Sequence, residues 1–271
     1  MFALAKILAA AALWSTIGVA ATLGGDPVWL AFIRSVVAAA ASLLLGAPLS
    51  RRALLPGLLL GGLFSAYPLA ALYAGVGPAA YLLYTAPLWT AAALFLKGER
   101  PGRRESVGVA LVMAAVALFL SASAAGEISP VGAAAGLASG VFYGLYIAAA
   151  RVLASEGRQR EASLGAVAYT PLITGPLAAA YLAWFGRPPT LEAAAAGAYL
   201  GVFATLVPYV LFASAVREVG GTRASVLATV EPVLAALWGY LFFGQVPGAA
   251  TLLAYVLITA ATVLASGATD K

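Results

Sequence analysis

Ten runs of about twenty apolar residues fill this chain almost end to end. They fall at about 3–23, 28–47, 54–74, 77–96, 105–122, 130–153, 163–184, 193–215, 221–243 and 247–266, separated by charged or Gly/Pro-rich breaks. A helix of about 20 residues crosses the hydrocarbon of a bilayer, and in lipid only helices and closed barrels satisfy every backbone group. Ten such helices take about 200 of the 271 residues and leave about 7 per connection. The composition agrees, with 63% hydrophobic and 9% charged residues. A soluble globular domain carries about 25% charged residues, and a disordered chain is far less apolar, so both classes are excluded. The first run has one Lys and a long apolar stretch, as a secretory signal does, but nine further spans make it a retained helix. The segment 54–96 is the hardest to cut; Gly75-Val76-Gly77-Pro78 marks the expected break, because Gly ends helices and Pro starts them.

The basic residues fix an expected orientation. With the N-terminus inside, the inner segments hold Lys6, Arg51, Arg52, Lys97, Arg100, Arg103, Arg104, Arg151, Arg158, Arg160, Arg217, Arg223 and Lys271. The outer segments hold Arg187, and Arg34 lies within a span, which accounts for all 15. By the positive-inside rule the number of spans is even and both termini are cytoplasmic, in a multi-pass protein of the cytoplasmic membrane. The same asymmetry explains the net charge of +5 without a nucleic-acid partner. The run from Lys97 to Arg104 is a topology anchor first and a site for anionic lipid headgroups second.

Missing residues exclude chemistry. The chain has no Cys and no His, so it can form neither a zinc site of the usual kind, nor a His- or Cys-ligated haem, nor a disulfide. The stretch Gly136-Leu137-Ala138-Ser139-Gly140 has the outline of a nucleophile elbow, but no His is available to activate the Ser. Lys occurs at Lys6, Lys97 and Lys271, none of them after a glycine-rich phosphate loop. No cofactor or metal is expected, and an intramembrane enzyme would have only Glu231 to work with.

The chain nearly repeats itself after about 145 residues. Gly77 to Pro87 parallels Thr222 to Pro232, and Gly98-Glu99-Arg100-Pro101 parallels Gly244-Gln245-Val246-Pro247. The expected units are 1–124 and 125–271, with five helices each. Five is odd, so the second unit enters the membrane inverted, the arrangement in which secondary transporters rock two halves about a midplane site.

In this order the motifs resemble the drug/metabolite transporter superfamily, of the EamA type with ten spans. The resemblance covers essentially the whole chain. It rests on Leu13-Trp14-Ser15 in span 1, Pro27 followed by Arg34 in span 2, and Pro87 to Leu96-Lys97-Gly98-Glu99-Arg100 in span 4. The second half adds Phe142-Tyr143-Gly144 with Arg151 in span 6 and Glu231-Pro232 to Gly244-Gln245 in span 9. Gln245 stands where the family usually has Glu. The resemblance implies export or exchange of small metabolites, often amino acids, with no single substrate.

Two charges sit well inside spans, Arg34 and Glu231, and charge at membrane depth marks a functional candidate. Glu231 can carry a proton during exchange, bind a substrate ammonium, or hydrogen-bond the helix interrupted at Pro232. Arg34 can snorkel outward, attract an anionic group, or pair with Glu231. Trp14, Tyr67, Tyr84, Tyr143, Tyr146, Tyr169, Tyr209 and Trp238 recur at mid-span and are read as cavity-lining rings rather than interfacial belts. Tyr143 and Tyr146 are three apart on one face. Pro68, Pro87, Pro171, Pro176, Pro208 and Pro232 interrupt spans; Pro68, Pro87, Pro208 and Pro232 are the candidate hinges. Gly132, Gly136, Gly140 and Gly144 in span 6, and Gly197 and Gly201 in span 8, form smooth faces for close packing, or for a sliding or homo-oligomer surface.

The sequence thus describes an all-α, ten-helix, inverted-repeat secondary transporter. It would move a small organic metabolite by alternating access, through export or exchange, with protons a candidate coupling ion. A non-transporting membrane scaffold is the alternative.

Overall fold

The computed structural model describes residues 2–74, 76–122, 129–244, 246 and 248–267. Every regular element among them is helical. Among the described residues, ten helices are long and apolar enough to cross a membrane: Phe2–Gly24, Pro27–Leu44, Arg51–Ala71, Pro78–Leu96, Arg103–Ser121, Pro130–Ser155, Glu161–Phe185, Leu191–Val219, Gly221–Phe243 and Ala249–Ser266, called spans 1 to 10 below. They fall within a few residues of the ten apolar runs. The cut inside 54–96 falls as expected, between Arg51–Ala74 and Val76–Leu83. Gly75, Gln245, Pro247, Lys271 and the boundary between the two expected units lie outside the described residues.

Not all the spans are continuous. Span 1 breaks between Phe2–Trp14 and Ile17–Gly24, span 4 between Val76–Leu83 and Ala86–Leu96, and span 9 between Gly221–Ala228 and Glu231–Phe243. The breaks in spans 4 and 9 lie just before Pro87 and Pro232, which cannot donate to a helix carbonyl. The break in span 1 contains no proline. At all three a hydroxyl bonds back to the carbonyl three residues earlier: Ser15 to Ala12 and Thr16 to Leu13, Thr85 to Leu82, and Thr229 to Val226, at 2.6–2.8 Å. Such local bonds compete with the helical ladder. Span 3, by contrast, runs unbroken through Pro56 and Pro68. Spans 7 and 8 each carry one turn of π-helix, Glu161–Gly165 and Val202–Leu206.

Span 6 packs along spans 3 and 4, span 8 along spans 1 and 2, span 7 on spans 2 and 3, and span 5 on span 10. The glycine faces make these approaches possible. A Cβ on Gly136 would sit 2.6 Å from Leu82, and one on Gly144 would sit 2.6 Å from the Ala86 carbonyl and the Trp89 side chain. Cβ atoms on Gly197 and Gly201 would meet Ile33 and Val37 of span 2 at 2.8 Å. Both faces are therefore occupied by neighbouring spans of the same chain.

The two ends of the bundle differ. At the end where span 1 begins, Ile7, Leu60, Ile147, Val216, Val226 and Ile258 are fully buried. Arginines there tie one helix end to another. Arg151 bonds Glu99 at 3.1 Å and the Arg217 carbonyl, and Arg160 donates to the carbonyls of Leu45 and Gly46 at 2.7 and 2.8 Å. Arg223 donates to the carbonyls of Ala265 and Ser266 at 2.8 and 3.0 Å. A cation at a helix C-terminus meets both orphan carbonyls and the negative end of the dipole. Toward the opposite end the packing loosens. In span 9 every residue of Gly221–Ala228 except Arg223 is buried, whereas only Pro232 is buried in Glu231–Phe243.

Candidate functional site

The loosened half encloses a chamber at mid-depth. Its inner part holds about 40 Å³ and is lined by Trp14, Ile17, Arg34, Leu63, Phe64, Tyr67, Pro68, Leu83, Tyr143, Tyr209 and Glu231. It continues into two lobes of about 230 and 320 Å³. The smaller reaches Thr22, Gly25 and Pro27, and the larger reaches Tyr84, Phe119, Phe243 and Tyr255. The broken helices converge here. Ile17 opens the second half of span 1, Glu231 is the first residue of the second half of span 9, and Tyr84 stands at the break in span 4. Half-helix ends at membrane depth are tolerated where they border a cavity.

Arg34 and Glu231 both line the inner chamber; Arg34 also borders the smaller lobe and Glu231 the larger one. Arg34 is buried; its Nε donates to Thr205 Oγ1 at 2.5 Å and its Nη2 donates to the Ala204 carbonyl at 2.9 Å. The guanidinium lies over the Phe64 ring, 4.1 Å from its centroid, a cation–π contact that strengthens away from water. The Tyr84 hydroxyl is near enough to the Glu231 carboxylate to interact with it. The two charges are near enough to interact, yet no direct ion pair joins them. Arg34 has part of its hydrogen-bonding capacity satisfied by the protein, and both charges border open volume.

Trp14 Nε1 and the Tyr143 hydroxyl are buried without a hydrogen-bond partner, and both side chains line the inner chamber. Buried polar groups without partners are uncommon and costly, so acceptors are expected to enter there. The rings are locked against one another. Trp14 meets Tyr143 edge-on at 5.9 Å and leans on Tyr209 and Phe212 at 5.2 and 5.6 Å. The chamber and its lobes therefore bring together one cation, one carboxylate and aromatic walls, with unpartnered donors on Trp14, Tyr143 and, in the larger lobe, Tyr81.

Of the residues singled out from sequence, Trp14, Arg34, Tyr67, Tyr143, Tyr209 and Glu231 meet in the inner chamber, and Tyr84 joins them from the larger lobe. Pro68 and Pro232 also border the space; Pro87 and Pro208 are buried in the packing behind it. Three rings lie elsewhere. Tyr146 is fully buried beneath the chamber, edge-on to Tyr209 at 5.3 Å, and donates to the Ala162 carbonyl at 3.0 Å. Tyr169 packs from span 7 against Gly57 of span 3. Trp238 donates to Ser15 at 2.8 Å and lines a separate groove of about 640 Å³ between spans 1, 8 and 9. Phe64 and Thr205, which hold Arg34, were not legible as site residues. Their only signal is a phenylalanine three residues before Tyr67 and a threonine three before Pro208.

Comparison with known proteins agrees with this architecture. Residues 130–267 match the EamA-like transporter family. An uncharacterised transporter of Archaeoglobus fulgidus is 32% identical over 189 residues, covering 68% of this chain and 66% of the relative, so the chain spans about two thirds of that relative's length. A protein known from its crystal structure superposes with a TM-score of 0.78 at 23% identity, over 97% of this chain and 96% of that one, a likeness of fold. The chain belongs to the EamA-like transporter family.

Proposed function

We propose that this protein is a secondary transporter that carries a small zwitterionic metabolite, of the amino-acid kind, across the cytoplasmic membrane by alternating access. The observation that carries the reading is that Arg34 and Glu231 line one chamber without an ion pair between them, with Trp14 and Tyr143, whose Nε1 and hydroxyl are unpartnered, on the same lining. The solute's carboxylate meets Arg34 and its ammonium meets Glu231, while its side chain lies among the aromatic rings. A solute of one charge would leave Arg34 or Glu231 unpaired, which buried sites penalise.

The direction of opening follows from the basic residues. The end closed by Arg151, Arg160 and Arg223 is the cytoplasmic face, so the chamber opens outward and both termini are inside. The units 1–124 and 125–271 act as inverted repeats. Supporting this, the breaks in spans 4 and 9 are offset by the same interval as Pro87 and Pro232. Left-handed glycines, Gly98 at φ +87° and Gly244 at φ +63°, follow both spans. The contact of span 6 with span 3 is matched by that of span 1 with span 8. Export or exchange is completed when the far end closes and the basic end opens. Glu231, alternately holding a proton and the ammonium, couples the cycle to protons.

The test is counterflow in proteoliposomes of purified protein, with a panel of amino acids, amines and carboxylates, at matched pH and with an imposed pH gradient. Accumulation of a labelled amino acid against internal unlabelled solute is the expected result. Absence of flux for every class, with folded protein in the vesicles, overturns the reading; gradient-independent flux overturns the proton coupling alone.

A further inference from the structure

Arg34 is tied to an irregular place in span 8. In the π-turn Val202–Leu206 the Val207 N–H reaches back five residues to the Val202 carbonyl. In a regular helix the Ala204 carbonyl would accept from residue 208, but residue 208 is proline and has no N–H. Arg34 Nη2 supplies the missing donor at 2.9 Å, and Arg34 Nε donates to the neighbouring Thr205 hydroxyl at 2.5 Å. Ala204 and Thr205 are both 0% exposed, so neither acceptor has water to turn to. The other π-turn, Glu161–Gly165, is pinned in the same manner: Tyr146 of span 6 donates to its Ala162 carbonyl at 3.0 Å.

This geometry limits what the guanidinium can do. It is a planar fork with five donors. Two donors are committed to span 8, and one flat face is covered by Phe64 at 4.1 Å. The remaining donors are left over on a side chain that borders the chamber. A fork whose other atoms are fixed has less freedom to lose when a carboxylate docks.

We infer that Thr205 and Pro208 are positioning residues for recognition of the solute's carboxylate. Pro208 frees the Ala204 carbonyl and Thr205 supplies the second acceptor, and together they hold the Arg34 fork toward the chamber. Thr205 thereby sets the preference for a solute with a carboxylate over the same solute without one. This rests on the reading that Arg34 meets an anionic group. It gives Pro208 a role different from a hinge.

The experiment measures binding of three probes to the purified full chain: L-phenylalanine, 3-phenylpropionate with the carboxylate alone, and phenethylamine with the ammonium alone. The variants are Thr205→Val, which keeps shape and removes the acceptor, Thr205→Ser, which restores it, and Pro208→Ala, which returns an N–H to compete for Ala204. In Thr205→Val both carboxylate probes are expected to bind about 10-fold more weakly, with phenethylamine unchanged and Thr205→Ser close to wild type. Pro208→Ala shifts the carboxylate probes in the same direction. Equal weakening of all three probes, or carboxylate binding within twofold of wild type in Thr205→Val, overturns the inference while leaving the zwitterion reading intact. A wild type that binds none of the three probes overturns that reading, and this inference with it.

Discussion

Gly144→Ala tests whether spans 4 and 6 pack as tightly as the glycine face requires. The added Cβ would stand 2.6 Å from both the Ala86 carbonyl oxygen and the Trp89 Cβ, and 3.0 Å from the Thr90 nitrogen. Ordinary contact begins near 3.4 Å, so span 4 must retreat by about 0.8 Å. Two of these atoms are backbone, so a side-chain rotation cannot relieve the clash. The retreat also stretches the bond from Thr90 Oγ1 to the Gly144 carbonyl, now 3.1 Å, beyond hydrogen-bonding range. Overpacking costs about 1–3 kcal/mol, and the lost bond about 1 kcal/mol. The better helix propensity of Ala returns about 1 kcal/mol, so a net loss of about 1–3 kcal/mol remains. At about 2–4 °C per kcal/mol for a chain of this size, the melting temperature in detergent should fall by about 2–12 °C. Gly18→Ala is the control, because its Cβ would meet nothing within 4 Å; it should melt at or above the wild-type temperature. A Gly144→Ala protein as stable as wild type would refute the close approach of these two spans.

Tyr143 and Tyr146 should separate by assay. Tyr143→Phe removes a hydroxyl without a protein partner, so stability holds while solute affinity falls about 3- to 10-fold. Tyr146→Phe strands the Ala162 carbonyl and should lower stability by about 1 kcal/mol, read from thermal melts, with affinity little changed. Tyr169→Phe and Trp238→Phe lie off the chamber and should leave solute affinity within about twofold in the same binding assay, a change below the weight of one hydrogen bond. Glu99→Gln loosens the link from Arg151 to span 4. Because the chain has no native Cys, labelling of a cysteine placed at buried Ala154 by a membrane-impermeant maleimide reports opening of the basic end. Labelling should rise in Glu99→Gln and stay low in the parent; equal labelling in both would mean that this ion pair does not hold the end closed.

The spans were legible because a membrane helix announces itself over twenty residues. Arg34 and Glu231 were legible because charge is rare at that depth. What the sequence concealed was local. The break in span 1 has no proline and depends on Ser15 and Thr16 bonding their own helix, which an apolar run with two hydroxyls does not disclose. Tyr143 and Tyr146 share a face, yet three residues of helix place the second about 4.5 Å deeper, under Tyr209 and out of the chamber. Trp238 faces Ser15 and span 8, whereas Ala235, Gly239 and Phe243 of the same helix border the larger lobe. Thr205 gained its place only through a π-turn, and a π-turn depends on packing against spans 1 and 2 rather than on any local motif. Helical periodicity says which residues share a side, but not which neighbour that side meets.

The most direct test of the central claim is reciprocal selectivity at the two charges. Counterflow in proteoliposomes would compare wild type, Arg34→Gln and Glu231→Gln with an amino acid and its decarboxylated amine. Charge-assisted hydrogen bonds contribute about 1.5–3 kcal/mol, hence a loss of about 10- to 100-fold in apparent affinity when one is removed. Arg34→Gln should lose the amino acid by that factor and keep the amine, whereas Glu231→Gln should weaken both. If the two variants exchange both solutes with wild-type affinity, the chamber between Arg34 and Glu231 is not where the solute binds.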